Sequence, residues 1–217
     1  MLTVVTHTNP NSGRDLSRCI ESVKAALPPT GARHVIINVE NDENSRSALM
    51  QARWDARELD EYICFVDDDD YISQDSLIKT FAAIRVQQAG VAFTNEVLVD
   101  KAGKVLSRND QVKMFEHIPL TPLIIHHLAI MKTSYLTDEV KVLADQYTMS
   151  IEWIMKARCA LEGGAIHVPI DGYFWVQHDD QHHKITAWQE AFRKNCPLLT
   201  PKLRSWAKFA GPIPQYK

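Results

Sequence analysis

Tyr62-Ile63-Cys64-Phe65-Val66-Asp67-Asp68-Asp69-Asp70 is an apolar run that ends abruptly in four carboxylates. An unbroken series of Tyr, Ile, Phe and Val favours a strand buried on both faces. Four adjacent like charges repel one another and resist burial unless something neutralises them. A divalent cation is one neutraliser: Mg²⁺ or Mn²⁺ prefers oxygen ligands, and Mg²⁺ binds through one or two carboxylates together with substrate phosphates. The plainer reading is a solvated acidic turn that caps the next helix. Position favours the first, because ligands of open α/β sheets bind outside the carboxyl ends of the strands.

Working back from this stretch, Leu2-Thr3-Val4-Val5-Thr6 reads as a first strand, followed by the turn-rich segment from His7 to Gly13. Leu16, Ile20, Val23 and Leu27 recur at helical spacing before Pro28-Pro29 stops them. Val35 to Val39 is a second buried strand, and Ala48, Leu49, Ala52 and Ala56 mark a second helix that leads into the acidic strand. Strand, helix, strand, helix, strand is the alternation that requires a parallel sheet with crossover helices.

Working forward, Ser73 and Asp75 can cap a helix with Leu77, Phe81 and Ile84 on its apolar face and Gly90 as its stop. Val91 to Val99 is a strand, and Asp100-Lys101-Ala102-Gly103 a turn into Lys104-Val105-Leu106, so hairpins are expected in the second half. Ile124 to Met131 is strand-like and contains His126 and His127, whose ordinary reading is a core histidine with a hydrogen-bond partner. A helix is expected from Gln146, with Ile151, Ile154, Met155, Arg158 and Leu161 on one face, Gly163-Gly164 at its end, and Asp145 before its first turn. Two short strands, Ala165 to Pro169 and Tyr173 to Gln177, deliver the ligand-rich cluster His178-Asp179-Asp180-Gln181-His182-His183.

At 217 residues the chain can bury one sizeable core. Its four scattered cysteines, with no C-x-x-C pair, suggest neither a zinc site nor a disulfide framework, which fits a reducing cytoplasm. No apolar run approaches the roughly 20 residues that span a bilayer, and the N-terminus lacks the layout of a signal peptide. Charge is uneven. From Lys184 to Lys217 the net charge is +6, interleaved with Trp188, Phe192, Trp206, Phe209 and Tyr216, while the preceding part carries −9. Such a tail suits an anionic partner, either a membrane surface to which the protein is peripheral or a nucleic acid, or else forms a solvated helix packed over the body.

These pieces, in this order from about Leu2 to His183, resemble the family 2 glycosyltransferases of the GT-A fold. The most specific part is Glu61 to Ile72 with Leu77 beyond it, which looks like that family's strand, DXD motif and following helix. The resemblance implies an α/β, Rossmann-like, mostly parallel central sheet with helices on both faces. A GT-A domain over 1–183 is then expected, with a nucleotide-binding half at about 1–99, an acceptor and catalytic half at about 100–183, and a basic extension over 184–217. It also implies donor contacts from Thr6, His7, Thr8, Glu40, Arg53, Asp67 and Asp68, with Asp67 near the ribose. Asp69, Asp70 and His178 are implied at an Mn²⁺ or Mg²⁺ ion, and Asp145 as the catalytic base. Ala144 stands where the family usually has a Glu beside that Asp.

The activity so implied is metal-dependent transfer of a sugar from a nucleoside diphosphate, expected to be UDP, to an acceptor hydroxyl with inversion. The acceptor would be a glycan, a lipid-linked sugar or a hydroxylated base in nucleic acid. Developing charge on a diphosphate leaving group calls for a Lewis acid, and the acceptor hydroxyl calls for a general base. Two other classes fit parts of the sequence: a metal-dependent hydrolase built on His178, Asp179, Asp180, His182 and His183, and a non-catalytic module that binds sugar nucleotides or nucleic acid.

Overall fold

The computed structural model describes residues 1–9, 15–39, 45–110, 113–121, 124–147, 150–177 and 186–216. Among these residues, eight strands form one sheet in the order β2-β1-β3-β7-β5-β8-β4, with β6 paired to β5 beside this path. They are β1 (Leu2–Thr8), β2 (Ala32–Asn38), β3 (Tyr62–Phe65), β4 (Tyr71–Ile72), β5 (Val91–Val99), β6 (Val105–Asn109), β7 (Ala129–Lys132) and β8 (Ala165–Val176). The long ladders β1/β2, β1/β3 and β5/β8 are parallel, while β7, β4 and β6 run against their neighbours. Five strands therefore point their carboxyl ends the same way, and Asp67 and Glu96 both lie toward that end.

Alternation along the central strands divides the core between the two faces. Val5, Ile63 and Phe65 face one cluster, and Leu2, Val4, Tyr62, Cys64 and Val66 face the other. The second face is covered by α1 (Ser17–Ala26) through Cys19, Val23 and Ala26, and by α3 (Ser76–Gln87) through Leu77, Phe81 and Ile84. Over the first face lie α2 (Ser45–Asp55), α4 (Asp138–Tyr147), α5 (Ile151–Gly163) and α6 (Thr186–Arg204). The C-terminal segment belongs to this same core: Cys196, Leu199, Leu203, Trp206 and Ile213 are buried in the cluster that also holds Ile63 and Phe65. Arg193, Lys194 and Arg204 are exposed on the outer side of α6, whereas Lys202 pairs with Glu139 and Lys208 with Glu162.

Several local expectations are corrected. The second strand, β2, is an edge strand and only half-buried. The stop of α3 is Gln88 in a left-handed conformation, not Gly90; a Cβ on Gly90 would meet the carbonyl oxygen of Cys159, so that glycine serves close packing of β5 against α5. The strand expected from Ile124 is confined to β7. The two short strands near the end are one strand, β8, whose register against β5 jumps from Thr94↔Val168 to Asn95↔Asp171 and then to Glu96↔Tyr173. Gly172 permits the bulge, since a Cβ there would sit 2.3 Å from Thr94 Oγ1. Asp145 does not cap the helix that carries Ile151. It stands in the last turn of α4, and α5 begins separately after Ser150.

Candidate active site

Parallel pairing brings the carboxyl ends of β1 and β3 side by side, with Val66 N–H donating to the Val5 carbonyl at 3.1 Å. Thr6, His7 and Thr8 at the end of β1 are all buried, and the His7 ring lies 5.6 Å from that of Phe65. Burial first, and the Arg53 charge second, pull the His7 pKa down to about 4, so the ring is neutral at pH 7. Its Nε2 is buried and has no hydrogen-bond partner among the described residues, and the same is true of Arg53 Nε. Buried polar atoms are rarely left unsatisfied, so two in one place suit a polar ligand.

Arg53, in the last turn of α2, is the junction of the site. One amino group, Nη2, donates to Asp67 Oδ1 at 2.5 Å and the other, Nη1, to Glu152 Oε2 at 2.5 Å. A buried guanidinium costs desolvation energy, which two carboxylates repay through opposite ends of one planar fork. The consequence is geometric. The acid that ends β3 and an acid in the first turn of α5 face each other across a single side chain.

The four aspartates are not equivalent. Asp70 is buried, and both of its oxygens are engaged: Oδ2 accepts from Tyr173 Oη–H at 2.6 Å and Oδ1 from Val176 N–H at 2.8 Å. Burial, with Asp67 and Asp69 adding repulsion, raises its pKa well above the usual carboxylate range. The Tyr173 hydroxyl also accepts the Asp67 N–H at 3.2 Å, so one phenol ties both ends of the acidic turn to β8. Asp68 is buried as well, while Asp67 and Asp69 are half-buried.

Among the described residues no three His, Cys, Asp or Glu side chains are gathered in a metal-binding group. Two accessible carboxylates suit a hard cation that arrives with a diphosphate and completes its coordination from it, rather than one held in an all-protein cage. On that chemistry the residues present fit Mg²⁺ or Mn²⁺. Glu40 and the cluster from His178 to His183 lie outside the described residues.

Asp145 is exposed, and its carboxylate pairs with Lys141 one turn earlier in α4, at 2.8 Å. Glu152 was not singled out by the sequence, yet it is 4% exposed and lies in the group that holds Arg53 and Asp67. Besides Arg53 it meets Lys156 Nζ at 3.1 Å and His127 Nε2 at 3.3 Å, both at Oε1. Burial pushes its pKa up, but His127, Lys156 and Arg53 outweigh that and hold it far below the usual carboxylate range. The His127 ring in turn lies 4.9 Å from that of Tyr173. A signal was available: Glu152 and Lys156 stand four apart in a helix that is otherwise almost wholly apolar up to Ala157. His126, by contrast, is the core histidine expected, between Glu96 and Lys113.

No protein-family model matches this sequence, and no curated protein matches it. Solved structures do. The structure of S. aureus TarS 1-349 in complex with UDP superposes with a TM-score of 0.62 at 16% identity, over 96% of this chain and 66% of that one. TarS 1-349 in complex with UDP-GlcNAc gives 0.56 at 14% identity, over 89% and 64%. TarS 1-349 alone gives 0.57 at 16% identity, over 81% and 60%. The chain thus spans under two thirds of the length of these TarS structures. At such identities the likeness establishes the fold alone, a Rossmann-like α/β fold shared with TarS.

Proposed function

We propose that the chain is a GT-A type glycosyltransferase that moves a sugar from a UDP-sugar to an acceptor hydroxyl with inversion. The observation that carries this reading is the Arg53 fork between Asp67 and Glu152, at the carboxyl ends of β1 and β3. It joins an acid suited to the donor to a second acid suited to the acceptor. That TarS has been solved with UDP and with UDP-GlcNAc on the same fold supports a uridine donor.

In this reading the acceptor oxygen forms a bond to the anomeric carbon as the bond from that carbon to the diphosphate breaks and its electron pair leaves with UDP. Asp69, with Asp67 beside it, would hold Mg²⁺ or Mn²⁺, which supplies Lewis-acid stabilisation of the leaving diphosphate. Asp70 shapes the turn that presents them. Arg53 can turn from the two acids to the diphosphate, to which its paired N–H groups are equally suited. Glu152 Oε2 then accepts the acceptor's proton as general base, a role the structure suits better than it suits Asp145 on its exposed helix. The exposed Arg193, Lys194 and Arg204 of α6 favour an anionic acceptor such as a lipid-linked glycan or nucleic acid.

The test is UDP binding and UDP release with Asp69→Ala. The wild type should gain thermal stability from UDP plus Mn²⁺ and release UDP from one member of a panel of UDP-sugars. The variant should keep its fold and lose the metal-dependent part of both. Equal stabilisation of the two proteins would remove Asp69 from the metal. Binding without release points to a module, and release of phosphate from other esters to a hydrolase.

A further inference from the structure

Lys156 is 5% exposed and lies among buried acids on two elements. Its ammonium is 3.1 Å from Glu152 Oε1, one turn earlier on α5, and its charge also acts on Glu96 of β5. Glu96 is 5% exposed and has His126 Nδ1 3.6 Å away, with the backbone N–H of His127 also bonded to its carboxylate. Beyond it, Lys113 Nζ donates to His126 Nε2 at 3.2 Å and to Asn109 Oδ1 at 2.5 Å. A chain of alternating charge therefore runs inward from Asp67 through Arg53, Glu152 and Lys156 to Glu96. Its inner end, Lys156 and Glu96, has no role in the reaction as described above.

The division of Glu152's two oxygens gives this chain a purpose. Among the described residues, Oε2 is held by Arg53, and Oε1 by Lys156 and His127. We propose that Lys156 is a positioning residue: shared between Glu96 and Glu152, it fixes Glu152 Oε1 so that Oε2 is presented, ionised, to the acceptor hydroxyl when Arg53 turns to the donor diphosphate. This rests on the reading of Glu152 as the base. Once Arg53 leaves, a carboxylate this deeply buried would take up a proton and lose its basicity if no cation stayed beside it. At neutral pH His127 does not supply that charge, since burial lowers its pKa; it becomes a cation only on the acid side, where it too helps hold Glu152 ionised. Glu96 acts in the opposite sense. Burial, countered by Lys156 and reinforced by Glu152, raises its pKa to about 7, so near neutral pH it draws only part of the Lys156 charge away from Glu152. Among the described residues, the titratable and charged groups coupled to Glu152 include Arg53 on α2, Lys156 on α5, His127 before β7, Glu96 on β5 and His7 on β1, and its charge is also felt by Cys64 on the other face of β3.

The experiment reads Glu152 directly and through catalysis. In protein carrying ¹³C at glutamate Cδ and saturated with UDP and Mg²⁺, the Glu152 signal, assigned with Glu152→Gln, is titrated by NMR. The acid limb of UDP release from UDP-GlcNAc, with water as acceptor, is measured alongside. Lys156→Met should raise both midpoints by about one pH unit or more, a tenfold change in protonation per unit, with KM for UDP-GlcNAc little changed. Lys156→Arg should restore them. Glu96→Gln should move them the other way, and it decides the matter if Lys156→Met does not fold. Midpoints that stay put in both variants, or move the same way in both, overturn the inference. Retained UDP release in Glu152→Gln would instead overturn the base reading, while the NMR midpoints would still judge Lys156.

Discussion

The chain has two groups of buried or half-buried acids, and they are built on opposite plans. The first, Asp67 to Asp70, is contiguous, sits on one turn, and is held by a phenol, backbone amides and one guanidinium. The second, Glu96 and Glu152, is 56 residues apart in sequence, sits on a strand and a helix, and is held by ammonium and imidazole groups. Clustered acids on a turn repel one another, which suits a cation that arrives with the substrate. The dispersed acids share cations drawn from several elements: Glu152 is held ionised without a metal, while Glu96, its pKa raised to about 7, is ionised only in part. The first plan suits binding a metal diphosphate, and the second suits holding a base ready in a site from which water is largely excluded.

Arg53 is where the two plans meet, and removing it should have the largest effect. Among the described residues, Arg53→Met leaves Glu152 with Lys156 and His127, and Asp67 with no paired cation. Breaking a buried pair from one side typically costs about 3–5 kcal/mol, and the half-exposure of Asp67 places the expectation at the lower end of that range. Urea unfolding at pH 7 checks it. A loss under about 1 kcal/mol would mean that the two groups are independent and that the fork is a surface-like contact.

A smaller effect is expected at Tyr173, which belongs to the first group alone. Tyr173→Phe keeps the ring against His127 but removes the hydroxyl that donates to Asp70 and accepts from the Asp67 amide. Leaving a buried acceptor unsatisfied costs about 1–3 kcal/mol, and raised protonation of Asp70 would recover part of it, since a protonated carboxyl can donate. Stability of this variant relative to the wild type should therefore worsen as pH rises from 5 to 8. The sign follows from Asp70: its folded pKa is raised, so the stability it contributes by staying protonated is present at low pH and lost as pH rises. A difference that is flat with pH would show that Asp70 keeps one protonation state over this range.

The contrast also explains what could be read from residues alone. Asp67 to Asp70 announced themselves because their neighbours in sequence are their neighbours in space, and the preceding strand-helix alternation fixed which end of the sheet they occupy. The sheet was legible for the same reason as far as β5, apart from the two-residue β4 and the edge position of β2. Beyond it, legibility fell where tertiary contacts override local pattern. Ile124 to Leu128 is apolar enough for a strand but runs outside one, and the register jump at Asp171 joins what looked like two strands. Glu152 was hidden because its partners come from α2, the segment before β7, and its own helix, and only the last is visible as a spacing. The basic tail looked detachable from its charge, yet its apolar spacing at Cys196, Leu199 and Leu203 carries it into the core.

The smallest effect should come from Asp145, the acid that family likeness points to and that belongs to neither group. It is in the last turn of α4, its side chain 57% exposed, paired with Lys141 at i,i+4. An exposed helical pair of this kind is worth about 0.3–0.5 kcal/mol. A carboxylate in a last helical turn is also opposed by the helix dipole, which offsets part of even that. Asp145→Asn should therefore change unfolding free energy by under about 0.5 kcal/mol and UDP release from UDP-GlcNAc by no more than about twofold, a barrier change of under half a kcal/mol. Glu152→Gln, measured in parallel, should lower release by the ~10²–10⁴-fold that accompanies loss of a general base. The two carboxylates are only seven residues apart in sequence, so the pair separates position in the fold from position in the motif. If Asp145→Asn shows the large loss and Glu152→Gln the small one, α4 must swing its last turn into the cleft when donor binds, and the buried chain from Arg53 to Glu96 is a structural brace.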